Sequence, residues 1–193
     1  MTFDGQRRDY GATLAWVGRL MTATRPEQLS GPTPCAEYDV RTLMGHLIGT
    51  AYRGLGTARG GSTRAVPHAV TDVADEDLAA TYVDLAGRSE RAWSAVGSGE
   101  QVLVAPWGRC SALDGARGFT VETVTHGWDL AVATGQPSDA PDGVAERCLE
   151  FAAATIPDRL RGVMYDDPIT SRPGLTPTER LAQLLGHGRN ESA

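Results

Sequence analysis

The sequence predicts an all-α fold: a bundle of long helices with short additional ones. Apolar residues return every three or four positions over several long segments, which is the repeat of one helix face. Those segments begin and end at cap residues and breakers. The strands that a parallel sheet would need are missing.

From about Tyr10 to Ala23, Leu14, Val17, Leu20 and Met21 line one face, and Arg25-Pro26 ends this first helix. The stretch through Gly31, Pro32 and Pro34 is rich in breakers and should be an ordered loop. Asp39 stands at an N-cap position. Behind it, Val40, Leu43, Met44, Leu47, Ile48, Ala51 and Leu55 form the stripe of a second helix that closes near Gly60-Gly61. A polar, mobile loop is expected to Val73. Asp75, Glu76 and Asp77 place acid where the macrodipole favours a helix start, and a third helix turns Leu78, Tyr82, Leu85 and Trp93 to the core. Val102, Leu103 and Val104 are too few for a helix, so Gly97 to Arg109 reads as an extended connector. Ser111 and Asp114 suggest a capping box with Asp in place of Glu, opening a fourth helix that lasts to Gly135. A fifth runs from Asp142 to about Ile156, where Pro157 stops it, and Gly162 to Gly174 is a loop. Thr176-Pro177-Thr178-Glu179 then opens a short last helix through Leu181, Leu184 and Leu185.

At 193 residues the chain is expected to form one domain over 1–193, with 136–193 as a helical extension packed on the bundle. A composition 41% hydrophobic and 22% charged is that of a soluble globular protein. The net charge of -6 argues against a nucleic-acid partner, which needs a concentrated basic patch. Asp4, Arg7, Arg8 and Asp9 interrupt any signal peptide, and no apolar run approaches the roughly 20 residues of a membrane span. No membrane partner and a cytoplasmic location are therefore expected. Cys35, Cys110 and Cys148 are odd in number and widely spaced, so they read as free, mostly structural thiols. The oligomeric state is left open, a homodimer included.

Glu122 and His126 lie four residues apart in the fourth helix, about 40° apart around its axis, and can converge on one ion. Imidazole and carboxylate are both zinc ligands, but two are too few, and His46 on the shoulder of the second helix's stripe is the best third. The same spacing is also that of an exposed Glu122 and a His126 that merely packs in the core, since an acid four residues before a His is common in helices. Asp129 could orient an imidazole or stay at the surface, and Trp107 and Trp128 could line a pocket or fill the core. His68 and His187 are assigned no part. Gly54-Leu55-Gly56 closes a helix and follows no strand, so it is not a dinucleotide motif.

Thr33-Pro34-Cys35-Ala36-Glu37-Tyr38-Asp39-Val40-Arg41-Thr42-Leu43-Met44-Gly45-His46-Leu47 pairs with Glu122-Thr123-Val124-Thr125-His126-Gly127-Trp128-Asp129-Leu130-Ala131. Together they resemble the DinB-like metal-binding family of actinobacteria, which includes the N-terminal domain of mycothiol-dependent maleylpyruvate isomerase. Thr178 to Gly186 is similar to the closing helix of short members. The resemblance implies an up-and-down four-helix bundle and a divalent metal, zinc, held by His46, Glu122 and His126. It names mycothiol as thiol co-substrate of a metal-dependent S-transferase-like or isomerase-like enzyme acting on a small electrophile. A non-catalytic metal- or ligand-binding bundle is the alternative. Tyr38 stands where the family usually has Trp, and the chain is expected to stop before the second domain of the full-length isomerase, which puts isomerisation itself in doubt. Three protein ligands leave a position open, as in catalytic rather than structural zinc sites, and an incoming thiol would be activated as thiolate.

Overall fold

The Thr2 hydroxyl accepts from the Gly5 N–H and starts α1, Phe3–Ala23, well before the expected Tyr10. The early turns carry no apolar stripe because polar contacts hold them instead. Gln6 is buried and donates to Thr120 Oγ1 at 2.9 Å. Arg7 donates to the carbonyls of Trp93, Ser94 and Val96, and Asp9 pairs with Arg147 at 2.7 Å. This computed structural model describes residues 1–157, 161–162, 165–170 and 172–189.

The remaining helices follow their caps. Asp39 accepts from the Thr42 N–H at 2.7 Å to open α2, Val40–Ala58, and Gly60, at φ 70°, lets the chain leave it. Asp75, Glu76 and Asp77 form a 3-10 turn, and α3 begins after them, Leu78–Ser94. The expected connector is instead an antiparallel hairpin of β1, Val102–Ala105, and β2, Gly108–Ser111. Leu103 and Ala105 are buried while Val102 and Val104 face outward, and Gly108 takes the turn at φ 124°. Ser111 caps α4, Ala112–Thr134, through the Asp114 N–H at 3.0 Å, and Gly135 ends it in the left-handed region. Helices α5, Val144–Thr155, and α6, Pro177–Leu184, follow, the latter with both bonds of a Thr176–Glu179 capping box. Within the predicted loop from Gly162 to Gly174, positions 163, 164 and 171 lie outside the described residues.

Helix α1 packs on α3 and α4, and α2 packs on the same two, so α1 and α2 face each other across the diagonal of the bundle. Tyr10, Leu14, Leu43, Leu47, Tyr82, Trp93 and Phe119 fill its centre. A second apolar cluster, including Val121, Val124, Cys148 and Leu181, seats α5 and α6 against α4. Among the described residues, no helix is long and apolar enough to cross a membrane.

The segment expected to be mobile is fastened. Val70 is buried and its N–H donates to the Gly45 carbonyl at 3.0 Å. Arg53 donates to the Pro67 carbonyl at 2.8 Å, and Arg41 to that of Val73 at 2.7 Å. Gly45 allows this approach, since a Cβ there would collide with the Val70 backbone carbonyl. Gly45→Ala is therefore expected to destabilise the fold by about 1–3 kcal/mol and to displace His68, as urea unfolding and the His68 NMR shifts would report.

Candidate metal centre

His46 projects from α2, and Glu122 and His126 from α4, two helices that pack side by side. One ligand atom of each lies within 4.8 Å of the others. His46 Nε2 is 3.1 Å from Glu122 Oε1, and His126 Nε2 is 3.7 Å from the same oxygen. His46 is 1% exposed and the Glu122 side chain 35%, so the carboxylate sits at the opening and the imidazole behind it. Glu122 also lines a cleft of about 930 Å³ whose wall includes Arg53, Arg64, Trp107, Phe151 and Tyr165.

The rest of the surroundings fix the rings. His46 Nδ1 lies 3.0 Å from the His68 carbonyl oxygen, which can only accept. Its other nitrogen faces a carboxylate, with Thr50 Oγ1 at 3.5 Å. A neutral imidazole carries one proton, yet here both edges meet acceptors. His126 Nδ1 lies 2.9 Å from Asp129 Oδ2, and Asp129 is fully buried. A divalent cation between the Nε2 atoms and Glu122 would resolve the conflict: each Nδ1–H keeps its oxygen partner and each Nε2 offers its lone pair. The donor set thus fits such an ion.

Electrostatics agree. Burial, aided by the charge of His126, pushes His46 down to about 4, so the ring is neutral at pH 7. Burial opposes ionisation of Glu122, but hydrogen bonding to His46 and the charges of His126, His46 and Arg53 outweigh it and hold the carboxyl well below its usual range. His126 is pulled down by burial and more strongly up by its Asp129 bond and by Glu122, ending raised. Protonation and a cation compete for its Nε2, so ion binding there is favoured as pH rises.

These directions set a pH dependence for the metal-free protein. The depressed pKa of His46 contributes stability that is present above its unfolded value of 6.5 and lost as pH falls towards about 4. His126 contributes the opposite way, present below 6.5 and lost as pH rises through its raised value. The urea midpoint of metal-free wild type is expected to fall more steeply between pH 6.5 and 4 than that of His46→Gln. Equal slopes would contradict the buried neutral ring.

Two unassigned histidines join the cluster. His68 Nδ1 is 2.6 Å from Tyr38 Oη, and His187 Nδ1 is 2.8 Å from Asp129 Oδ2. All four histidines of the chain therefore meet in one place, with the Tyr38 ring against His46, His68 and His126. Neither helical spacing nor a cap marks His68 or His187; the small number of histidines is the one signal that could have raised them. Trp107 lines the cleft, whereas Trp128 is core. The three cysteines are free, Cys35 beside His126 and His187, and burial pushes its thiol up to about 12.

The model of the mycothiol maleylpyruvate isomerase N-terminal domain matches residues 11–131. Two uncharacterized proteins, from two strains of Mycobacterium tuberculosis, are each 30% identical over 172 residues, 86% of this chain and 89% of theirs. The crystal structure of the mycothiol-dependent maleylpyruvate isomerase, and that of a histidine-to-alanine mutant of it, superpose with TM-score 0.61 at 12% and 11% identity. Each match covers 77% of this chain and 68% of the other, a likeness of fold. With the helical bundle and the span of the sequence match taken together, the chain belongs to the mycothiol maleylpyruvate isomerase N-terminal domain family.

Proposed function

We propose that the chain, acting as a single domain over 1–193, is a metal-dependent thiol S-transferase-like enzyme. In this reading His46, Glu122 and His126 hold a divalent ion, zinc, and mycothiol is the thiol that attacks a small electrophile. The observation that carries it is the His46–Glu122 contact, where an imidazole nitrogen and a carboxylate oxygen, both metal-ligand atoms, face each other across 3.1 Å at the edge of a cleft. When bound, such an ion lowers the pKa of a sulfur ligand and so supplies a thiolate nucleophile at neutral pH.

The protein's own residues have separate tasks. Asp129 fixes the His126 ring by accepting from its Nδ1–H, and the His68 carbonyl does the same for His46. Arg53, bonded to Thr50 and to the Pro67 carbonyl, keeps a positive charge beside Glu122 on the cleft wall. The indole of Trp107, packed on Phe119, gives that wall an apolar face for the electrophile. The printed name of the structural relative, a mycothiol-dependent isomerase, supports the choice of thiol.

The test is kinetic: zinc-loaded protein is mixed with mycothiol and a panel of small electrophiles. Loss of free thiol faster than the protein-free background, and not with chelator-treated protein, is the expected result. Background rates throughout the panel, with metal bound, would remove the enzymatic reading.

A further inference from the structure

We propose that Cys35, His126 and His187 form a second, sulfur-containing donor set that takes a soft divalent ion such as cadmium. One ligand atom of each of these residues lies within 4.8 Å of the others. The set shares His126 with the proposed His46–Glu122–His126 centre, so in that respect it rests on the reading above.

An independent observation points to a ligand. Asp129, fully buried, meets the Nδ1 of both His126 and His187, at 2.9 and 2.8 Å. Each ring therefore spends its Nδ1–H on one carboxylate, leaving Nε2 as the lone-pair donor of the neutral ring. Metal-binding imidazoles are held in this way, and a single carboxylate here holds two. The backbone that carries the thiol is fixed: the Cys35 carbonyl accepts from the Tyr38 N–H at 3.0 Å and from Thr33 Oγ1 at 2.8 Å. Cys35 and His187 are both partly exposed, so an ion can reach them.

Two imidazoles and a thiolate form a softer set than two imidazoles and a carboxylate, and thiolate selects for soft ions. Because the two sets share His126, they compete for it. An ion drawn to Cys35 and His187 gives up the His46–Glu122 side. On binding, the metal–sulfur bond forms as the Cys35 S–H proton leaves to solvent, with no change of oxidation state.

The experiment titrates metal-free full-length protein with cadmium ion alone, recording ultraviolet thiolate-to-metal charge transfer and bound metal. Wild type is expected to show the band, Cys35→Ser and His187→Ala to lose at least nine-tenths of it, and His46→Ala and Glu122→Gln to keep it. Circular dichroism confirms that each variant is folded, with His187→Gln replacing His187→Ala if the latter is not. Cadmium bound without the band, or a band kept in Cys35→Ser or in the folded His187 variant, overturns the proposal. So does a band lost in His46→Ala, which would make His46 a ligand of the sulfur-bound ion. Zinc content of His46→Ala reads the first centre separately, so the two can fail independently.

Discussion

Glu122→Gln is expected to separate metal binding from stability, lowering the first steeply and the second only modestly, since the amide loses the charge that His126 and Arg53 favour. The carboxylate is the only anionic donor in the His46–Glu122–His126 set. Removing a group that merely orients a metal ligand costs about 10–100-fold in affinity, so losing a ligand should cost more than about 100-fold. Thiol-transfer activity at limiting zinc should fall in parallel. The amide keeps the volume and can still hydrogen-bond His46 Nε2, which lies 3.1 Å from the carboxylate oxygen.

The two readouts make this stronger than a simple loss of activity. Competition with a chromophoric chelator measures zinc affinity, and urea unfolding after chelator treatment measures the metal-free fold. A variant that loses zinc and is also destabilised by several kcal/mol would mean that Glu122 serves the scaffold. A variant that keeps zinc would show that the carboxylate is no ligand. His46→Ala and His126→Ala should also lose metal, but each leaves a hole in the bundle and so should be less stable.

Residues that act through their neighbours along the chain were legible; those that act through distant partners were not. Asp39, Ser111, Gly135 and Thr176 announce helix ends because a cap needs only a side chain within three residues of its backbone partner. The Glu122–His126 pair was visible for the same reason, being four residues apart on one helix. The start of α1 was not, since Gln6, Arg7 and Asp9 find their partners at Thr120, Trp93 and Arg147. Val102–Ala105 looked like a connector because its partner strand, with Gly108 and Arg109, shows no apolar alternation. His68 reaches the centre only because Val70 is tied to Gly45, and His187 only because Asp129 lies opposite it. No local pattern encodes either approach.

Asp129→Ala should give the largest loss of stability among single changes at the centre. The carboxylate is fully buried and accepts from two imidazoles, one on α4 and one beyond the end of α6. Burial alone would raise its pKa, yet the hydrogen bonds and charges of His126 and His187 hold it lowered, so it is an ionised group inside the protein. Deleting it strands two N–H groups and breaks the tie between α4 and the C-terminal segment. The loss of one partner from a buried pair costs about 3–5 kcal/mol, a large share of the roughly 5–15 kcal/mol that holds a domain. Zinc affinity should fall about 10–100-fold through the unfixed His126 ring. His187→Ala distinguishes the two roles: it should release the C-terminal tie and cost stability while leaving zinc affinity within a few-fold of wild type, because His126 keeps its Asp129 bond. If His187→Ala lowers zinc affinity as far as Asp129→Ala does, the His126 bond is not what carries the effect, and the ion takes His187 as a ligand under zinc as well as under cadmium.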